Sequence, residues 1–255
     1  MAPTQQSQHV MKLKSLLFDD ELHVRPPVLL VTVAVFVGYA AVIYLAALID
    51  GVLFLPGPGK GLLNHYGFQA TYVTTFIVLI NCYYAISYFL RVVSNIGSLL
   101  RNEDDLPTGK RIVAPHVHSI FLRGKWKFML VLFIIIGCLG AIVIFRQLNA
   151  PEQFWGNDVF NAKQYKWSYL AANAALLFAW GVVYPVAGFF AIHITLSSEI
   201  IIQRLHSKGV LWINFLHDDG CCGMAKFGTL NFQIMLLYLW PAIAIVCLSL
   251  THSQT

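Results

Sequence analysis

Five of the six residues at positions 217–222 carry side chains that could hold a metal ion: His217, Asp218, Asp219, Cys221 and Cys222, within FLHDDGCCGMAKFG at 215–228. Imidazole, carboxylate and thiolate are the ligand types that zinc accepts. His116 and His118, two apart, would point the same way if their stretch is extended. His193 and His206 fall on the same expected side of the membrane as these groups. A metal site built from His217, Asp219, Cys221, Cys222, His116 and His118 is therefore chemically open. The spacing matches no paired CxxC pattern, however, and adjacent cysteines seldom ligate one ion together. The competing reading is structural. Asp218 and Asp219 followed by Gly220 suit a tight turn, or the N-cap of a helix starting near Cys221. Gly223 and Gly228 would then let backbones approach closely. On that reading the loop holds no cofactor and the chain is not an enzyme.

A second set of polar residues lies inside an apolar stretch. Asn81, Tyr83, Tyr84, Ser87 and Tyr88 form a polar, aromatic stripe at helical spacing, and Asn173 adds a weaker one further along. A buried amide in hydrocarbon must find a partner, so Asn81 should face another helix or a water-filled cavity. Asn81, Tyr84, Ser87, Tyr88 and Asn173 are thus candidates to line a pore, or alternatively to bind helix to helix. No Asp, Glu, Lys or Arg lies in the middle of such a stretch, which argues against a proton-coupled pump or a voltage sensor.

The elements that must position these residues follow from composition. Hydrophobic residues make up 58% of the 255 and charged ones 11%, about half the charge of an ordinary soluble domain. Roughly 20 apolar residues cross a bilayer, and five stretches are long enough: Pro27–Ile49, Ala70–Val93, Trp126–Leu148, Trp167–Thr195 and Leu230–Leu250. The expected fold is all-α, a polytopic bundle of five transmembrane helices. With five spans, the N-terminal tail and the second and fourth loops share one side; they hold 13 of the 17 Lys and Arg residues. The positive-inside rule then places the N-terminus in the cytoplasm and the C-terminus outside; the membrane expected is a bacterial inner membrane. That topology accounts for the net charge of +5, so no nucleic-acid partner is called for. The tail at 1–26 is no cleavable signal, because no short apolar core with a small-residue cleavage site occurs in it.

The expected layout is a cytoplasmic tail (1–26), a five-span domain (27–250) with cytoplasmic loops 94–125 and 196–229, and a short external tail (251–255). Residues 9–23 place Val10, Leu13 and Leu17 on one side at helical spacing, as an interfacial amphipathic helix would. The GPGKG segment at 57–61 has Gly61 where a phosphate loop needs Ser or Thr, and it lies outside the cell. Helix is expected to run from Ala70 to about Arg101 and from Trp167 to about Leu205, roughly 48 and 58 Å, extending into the cytoplasm. Pro185 should kink the second of these. The loop after Arg101 should break at Pro107–Gly109 and return as an extended piece near Ile112–Ile120. Gly137, Gly140, Gly181 and Gly188 are small positions where helices could approach, and Trp126, Trp155, Trp167 and Trp240 fall near the expected interfaces. Cys82, Cys138 and Cys247 lie in spans and Cys221 and Cys222 in a cytoplasmic loop, so no disulfide framework is indicated.

The segment at 217–228 resembles the His-Pro-Asp-Gly-x-Gly-Gly-Leu signature of uncharacterised bacterial multi-pass membrane proteins, which precedes a late span. His217, Asp219, Gly220, Gly223 and Gly228 match it, whereas Asp218 replaces the proline, Cys222 the first paired glycine and Met224 the leucine. The likeness implies kinship of fold and brings no activity with it. Three functions stay open: a homo-oligomeric pore or channel-like assembly, a membrane-anchored sensor or scaffold binding a cytoplasmic partner protein, and a metal-dependent membrane enzyme. The sequence leans to the pore.

Overall fold

A computed structural model describes residues 25–53, 62–64, 66–120, 125–148, 167–211 and 225–253. The described residues are helical almost throughout, with no strand among them. The helices are α1 (Pro26–Ile49), α2 (Tyr66–Ser94), α3 (Leu106–Ile120), α4 (Lys125–Leu148), α5 (Trp167–Phe178), α6 (Tyr184–Ser207) and α7 (Ala225–Ser253). A π-helical turn, Ala179–Val183, joins α5 to α6. Among the described residues four helices are long and apolar enough to cross a membrane: Pro26–Ile49, Gly67–Ser94, Leu170–Ser207 and Ala225–Cys247. A shorter apolar helix, Trp126–Ile142, lies within α4.

The flanks of these helices are apolar where they are exposed. Leu30, Val31, Val35, Val37 and Ile49 on α1 and Phe128, Ile136 and Leu139 on α4 are each more than half exposed. Apolar surface on that scale is costly in water, about 25 cal/mol for every Å², and costs nothing in hydrocarbon. That is the pattern of a membrane protein.

The chain forms two compact units. The first comprises Met1–Leu29, Asn81–Leu130 and Gly188–Leu237. Its core gathers Phe89, Val93, Ile96, Leu99, Ile194, Ile201, Leu205 and Leu230, with Val113 of α3 packed among them. After α2 a 3₁₀ turn (Ile96–Leu99) delivers Leu100 to an isolated antiparallel bridge with Leu211, and Arg101 N donates to the Val210 carbonyl at 3.0 Å.

The second unit comprises Leu30–Ile80, Val131–Ala187 and Tyr238–Thr255. One of its cores holds Ile43, Ala47, Val52, Phe68 and Leu176; the other holds Val78, Ala179, Val183, Tyr184 and Ala244. Gly137 lets α4 close on the start of α6. A Cβ there would lie 2.2 Å from Pro185 Cγ, closer than atoms can pack, and 3.0 Å from the Gly181 carbonyl oxygen.

Two helix ends are closed by the same device. Gly51 and Gly209 adopt φ of 70° and 66°, which costs an L-residue about 1–2 kcal/mol and glycine nothing. After α1, Gly51 N donates to the Leu48 carbonyl and Val52 N to that of Ala47; after α6, Gly209 N donates to His206 and Val210 N to Leu205. Both are Schellman motifs, each with a buried apolar pair across it, Val52 with Ala47 and Val210 with Leu205. At the other helix terminus, Asp50 Oδ2 accepts from Ser168 N at 2.8 Å and from Ser168 Oγ at 2.6 Å. A carboxylate at this place satisfies an orphan N–H of α5 and complements its dipole.

Several expectations change. The extended piece near Ile112–Ile120 is instead part of helix α3. Pro107 sits in its first turn, where a missing N–H costs nothing, and the helix continues through Gly109, buried against Leu100. The reading from Trp167 to about Leu205 agrees closely with the observed run to Ser207. Its irregularity at Pro185 is the π turn immediately before, which accommodates the missing donor and the ring. Gly137 and Gly181 do mark close approach, but Gly140, Gly188 and Gly228 have open space where a Cβ would stand. Trp126 is half-buried and packs on His193 and Phe189. The expected helix at 9–23, the GPGKG turn and Trp155 lie outside the described residues.

Replacing Asp50 by alanine should lower stability by about 1–2 kcal/mol, read as a lower unfolding midpoint in detergent. An unaltered midpoint would show that the cap is dispensable.

Candidate functional site

Of the candidate metal ligands only His116 and His118 fall among the described residues. His217, Asp218, Asp219, Gly220, Cys221, Cys222 and Gly223 lie outside the described residues. Gly228 is exposed on α7 and draws no backbone close. His116 and His118 belong to α3, and residues two apart in a helix lie about 200° apart around its axis; the extended pairing is therefore gone. Among the described residues no group of three or more His, Cys, Asp or Glu comes together.

His116 of α3 and His193 of α6 both belong to the first unit. His193 is buried in an aromatic setting, its ring 3.9 Å from that of Trp126 and stacked at 5.8 Å on that of Phe189. Burial, and secondarily the Arg204 guanidinium, hold the His116 imidazole below its usual pKa of 6.5. His206 is exposed in the last turn of α6.

The polar stripe of α2 is distributed unevenly. Ser87 is buried, Tyr83 and Tyr88 pack against the core of the first unit, and Asn81 is half-buried. Arg91 lies over the Tyr88 ring, 5.3 Å from its centre. Tyr84 alone of the stripe is exposed. Asn173, in the second unit, is half-buried on α5.

The second unit contains a feature that the sequence reading missed. A cavity of about 290 Å³ opens among α1, α2 and α5, lined by Val35, Phe36, Tyr39, Thr71, Tyr72, Thr75 and the segment from Ala174 to Ala179 without Leu177. Val35 and Phe178, on its edge, are at least half exposed, so it faces the apolar flank of the protein. That volume is nearly twice the roughly 150 Å³ that accepts a benzene ring in an engineered apolar cavity. A second, smaller cavity is lined by Ala40, Ile43, Tyr44, Phe68, Gln69, Tyr72 and Val73.

Behind the Thr71 and Thr75 wall of the larger cavity lies a buried hydroxyl network. Thr74 Oγ1 donates to the Ala70 carbonyl at 2.7 Å and Thr75 Oγ1 to that of Thr71 at 2.6 Å. Both hydroxyls also reach Tyr184 Oη, at 3.0 and 3.1 Å. Tyr72 Oη donates to the Phe36 carbonyl at 2.7 Å and Tyr39 Oη to that of Ala171 at 3.0 Å. Phe36 lies against both Tyr72 and Phe76, its ring centre 5.6 and 5.2 Å from theirs. The π turn supplies Ala179 to the lining, and such turns commonly accompany functional sites. The signal was present in ATYVTTF: Thr71, Thr74 and Thr75 stand at i, i+3 and i+4, one face of a helix. Their partners Tyr184, Tyr39 and Tyr72 carry no local mark.

Comparison with protein-family models, with curated proteins and with solved structures finds no match to this chain.

His116 yields a pH dependence. Its folded pKa lies below 6.5, so in that window the unfolded chain binds the extra proton and stability falls as pH drops through it. Stability should be level above pH 6.5 and decline below it, and His116→Gln should flatten that decline. An equally steep decline in the variant would exclude His116 as its source.

Proposed function

We propose that this protein is a membrane-anchored sensor that takes up a small, lipid-soluble molecule from the bilayer. The observation that carries the reading is the cavity between α1, α2 and α5, apolar over most of its lining, bordered by the exposed Val35 and Phe178, and backed by hydroxyls. Ligand sites are concave, mostly apolar and equipped with few polar groups, and this one has those properties within a single chain.

The pore reading draws less support. A conduction path between copies would be lined by outward faces, and those of α1 and α4 are apolar. Of the stripe on α2, Ser87 and Tyr88 are turned inward. The sensor reading requires no homo-oligomer and no bound metal. It assigns α4 as a further span, making five, with the N-terminus cytoplasmic in a bacterial inner membrane and the C-terminus outside. The bias of 13 basic residues against four supports that orientation. A partner protein would then be met on the cytoplasmic face.

A photoreactive aliphatic probe in nanodiscs should label α1, α2 and α5 at the cavity, and Ala175→Phe, which fills it, should cut that labelling about tenfold. Labelling spread evenly over the lipid-facing flanks and indifferent to Ala175→Phe would refute the reading. So would ion flux in liposomes that responds to Asn81→Leu.

A further inference from the structure

The hydrogen-bonding state of the cavity wall restricts what can bind there. Every hydroxyl proton that can be traced is already committed: Tyr39 to the Ala171 carbonyl, Tyr72 to that of Phe36, Thr75 to that of Thr71. Each of these oxygens has two lone pairs, so what the phenols and Thr75 retain is capacity to accept. Thr71 Oγ1, in the same wall, is wholly buried and has no partner among the described residues. Among the described residues no Lys, Arg, His, Asp or Glu lines the cavity. A carboxylate placed there would lose its water and gain no counter-charge.

We infer that the cavity selects a neutral amphipathic alcohol or phenol, a ligand whose polar end donates a hydrogen bond, over carboxylates and over groups that only accept. This rests on the ligand-binding reading above and narrows it. A hydroxyl gives its proton to the oxygen of Tyr39 or Tyr72, which is what these phenols can still take. An ether or ester has no proton to give them. The remaining volume accepts a body of about ten carbon atoms, against the Phe36, Ala174, Ala175 and Phe178 surface.

The test uses full-length protein in phosphatidylcholine nanodiscs, labelled by a diazirine-bearing decanol analogue. The competitors are 1-decanol, decyl methyl ether and decanoate, compared at equal mole fraction in the bilayer. Decanol should displace the label at about tenfold lower concentration than either of the others, the effect of one or two buried hydrogen bonds. In Tyr39→Phe/Tyr72→Phe, labelling should persist and the preference of alcohol over ether should shrink to about twofold. Equal competition by the ether in the unaltered protein would overturn the selectivity while leaving the ligand site standing. Stronger competition by decanoate would overturn it in the same way. Absence of label from the cavity would remove the site and the inference together. The ether comparison needs no variant, so a misfolded double substitution would not spare the inference.

Discussion

In hydrocarbon a hydroxyl, an amide or a helix end has no water to turn to, and each must find its partner within the protein. That constraint organises this molecule. Thr74, Thr75 and Tyr184 satisfy one another and the α2 backbone. Tyr72 and Tyr39 reach across to the carbonyls of Phe36 on α1 and Ala171 on α5. The ends of α1 and α6 fold their last carbonyls into Schellman motifs, and α5 borrows the carboxylate of Asp50. Each such bond ties a helix to a neighbour or closes its end, so the polar groups of the second unit define how its helices meet. The apolar flanks, by contrast, specify little, because lipid chains solvate them as well as another helix would.

The cavity is a consequence of the same rule. Where the tyrosine hydroxyls of α1 and α2 bridge to neighbouring backbone, the small side chains of Ala174, Ala175 and Ala179 border open space. The adjoining π turn widens the helix locally at Ala179–Val183, while Gly137 draws α4 against Pro185 on its other side. Tyr39, Tyr72 and Thr75 spend their protons on backbone carbonyls, so these three groups present oxygens instead of donors. Among the described residues the lining holds no Lys, Arg, His, Asp or Glu.

The helical class, the apolar stretches and the long run ending near Leu205 were legible, because each rests on a periodicity or a length that hydrocarbon imposes. Gly137 and Gly181 were legible as close-packing positions for the same reason, though Gly140 and Gly188 carried an identical mark and meet nothing. Helix α3 was misread, since Pro107 and Gly109 break helices as isolated residues; only the contact of Gly109 with Leu100 reveals that this turn is buried. Asn81 and the tyrosines beside it attracted attention as the most polar residues of α2, yet the partnered hydroxyl network lies a few turns earlier, in the plainer threonines. Threonine is nearly neutral in hydropathy and commonly bonds its own helix backbone, so its meeting with Tyr184, 110 residues away, is invisible to any local reading.

The central claim is that the cavity opens to hydrocarbon and not to water. Spin labels at Val35 and Phe178, both on its edge, read this directly through collision with oxygen, which partitions into lipid, and with a water-soluble nickel chelate, which does not. The account predicts strong relaxation by oxygen at both positions and almost none by the chelate. Comparable relaxation by the chelate would mean that an aqueous path reaches the cavity, and a ligand drawn from the bilayer would no longer explain it.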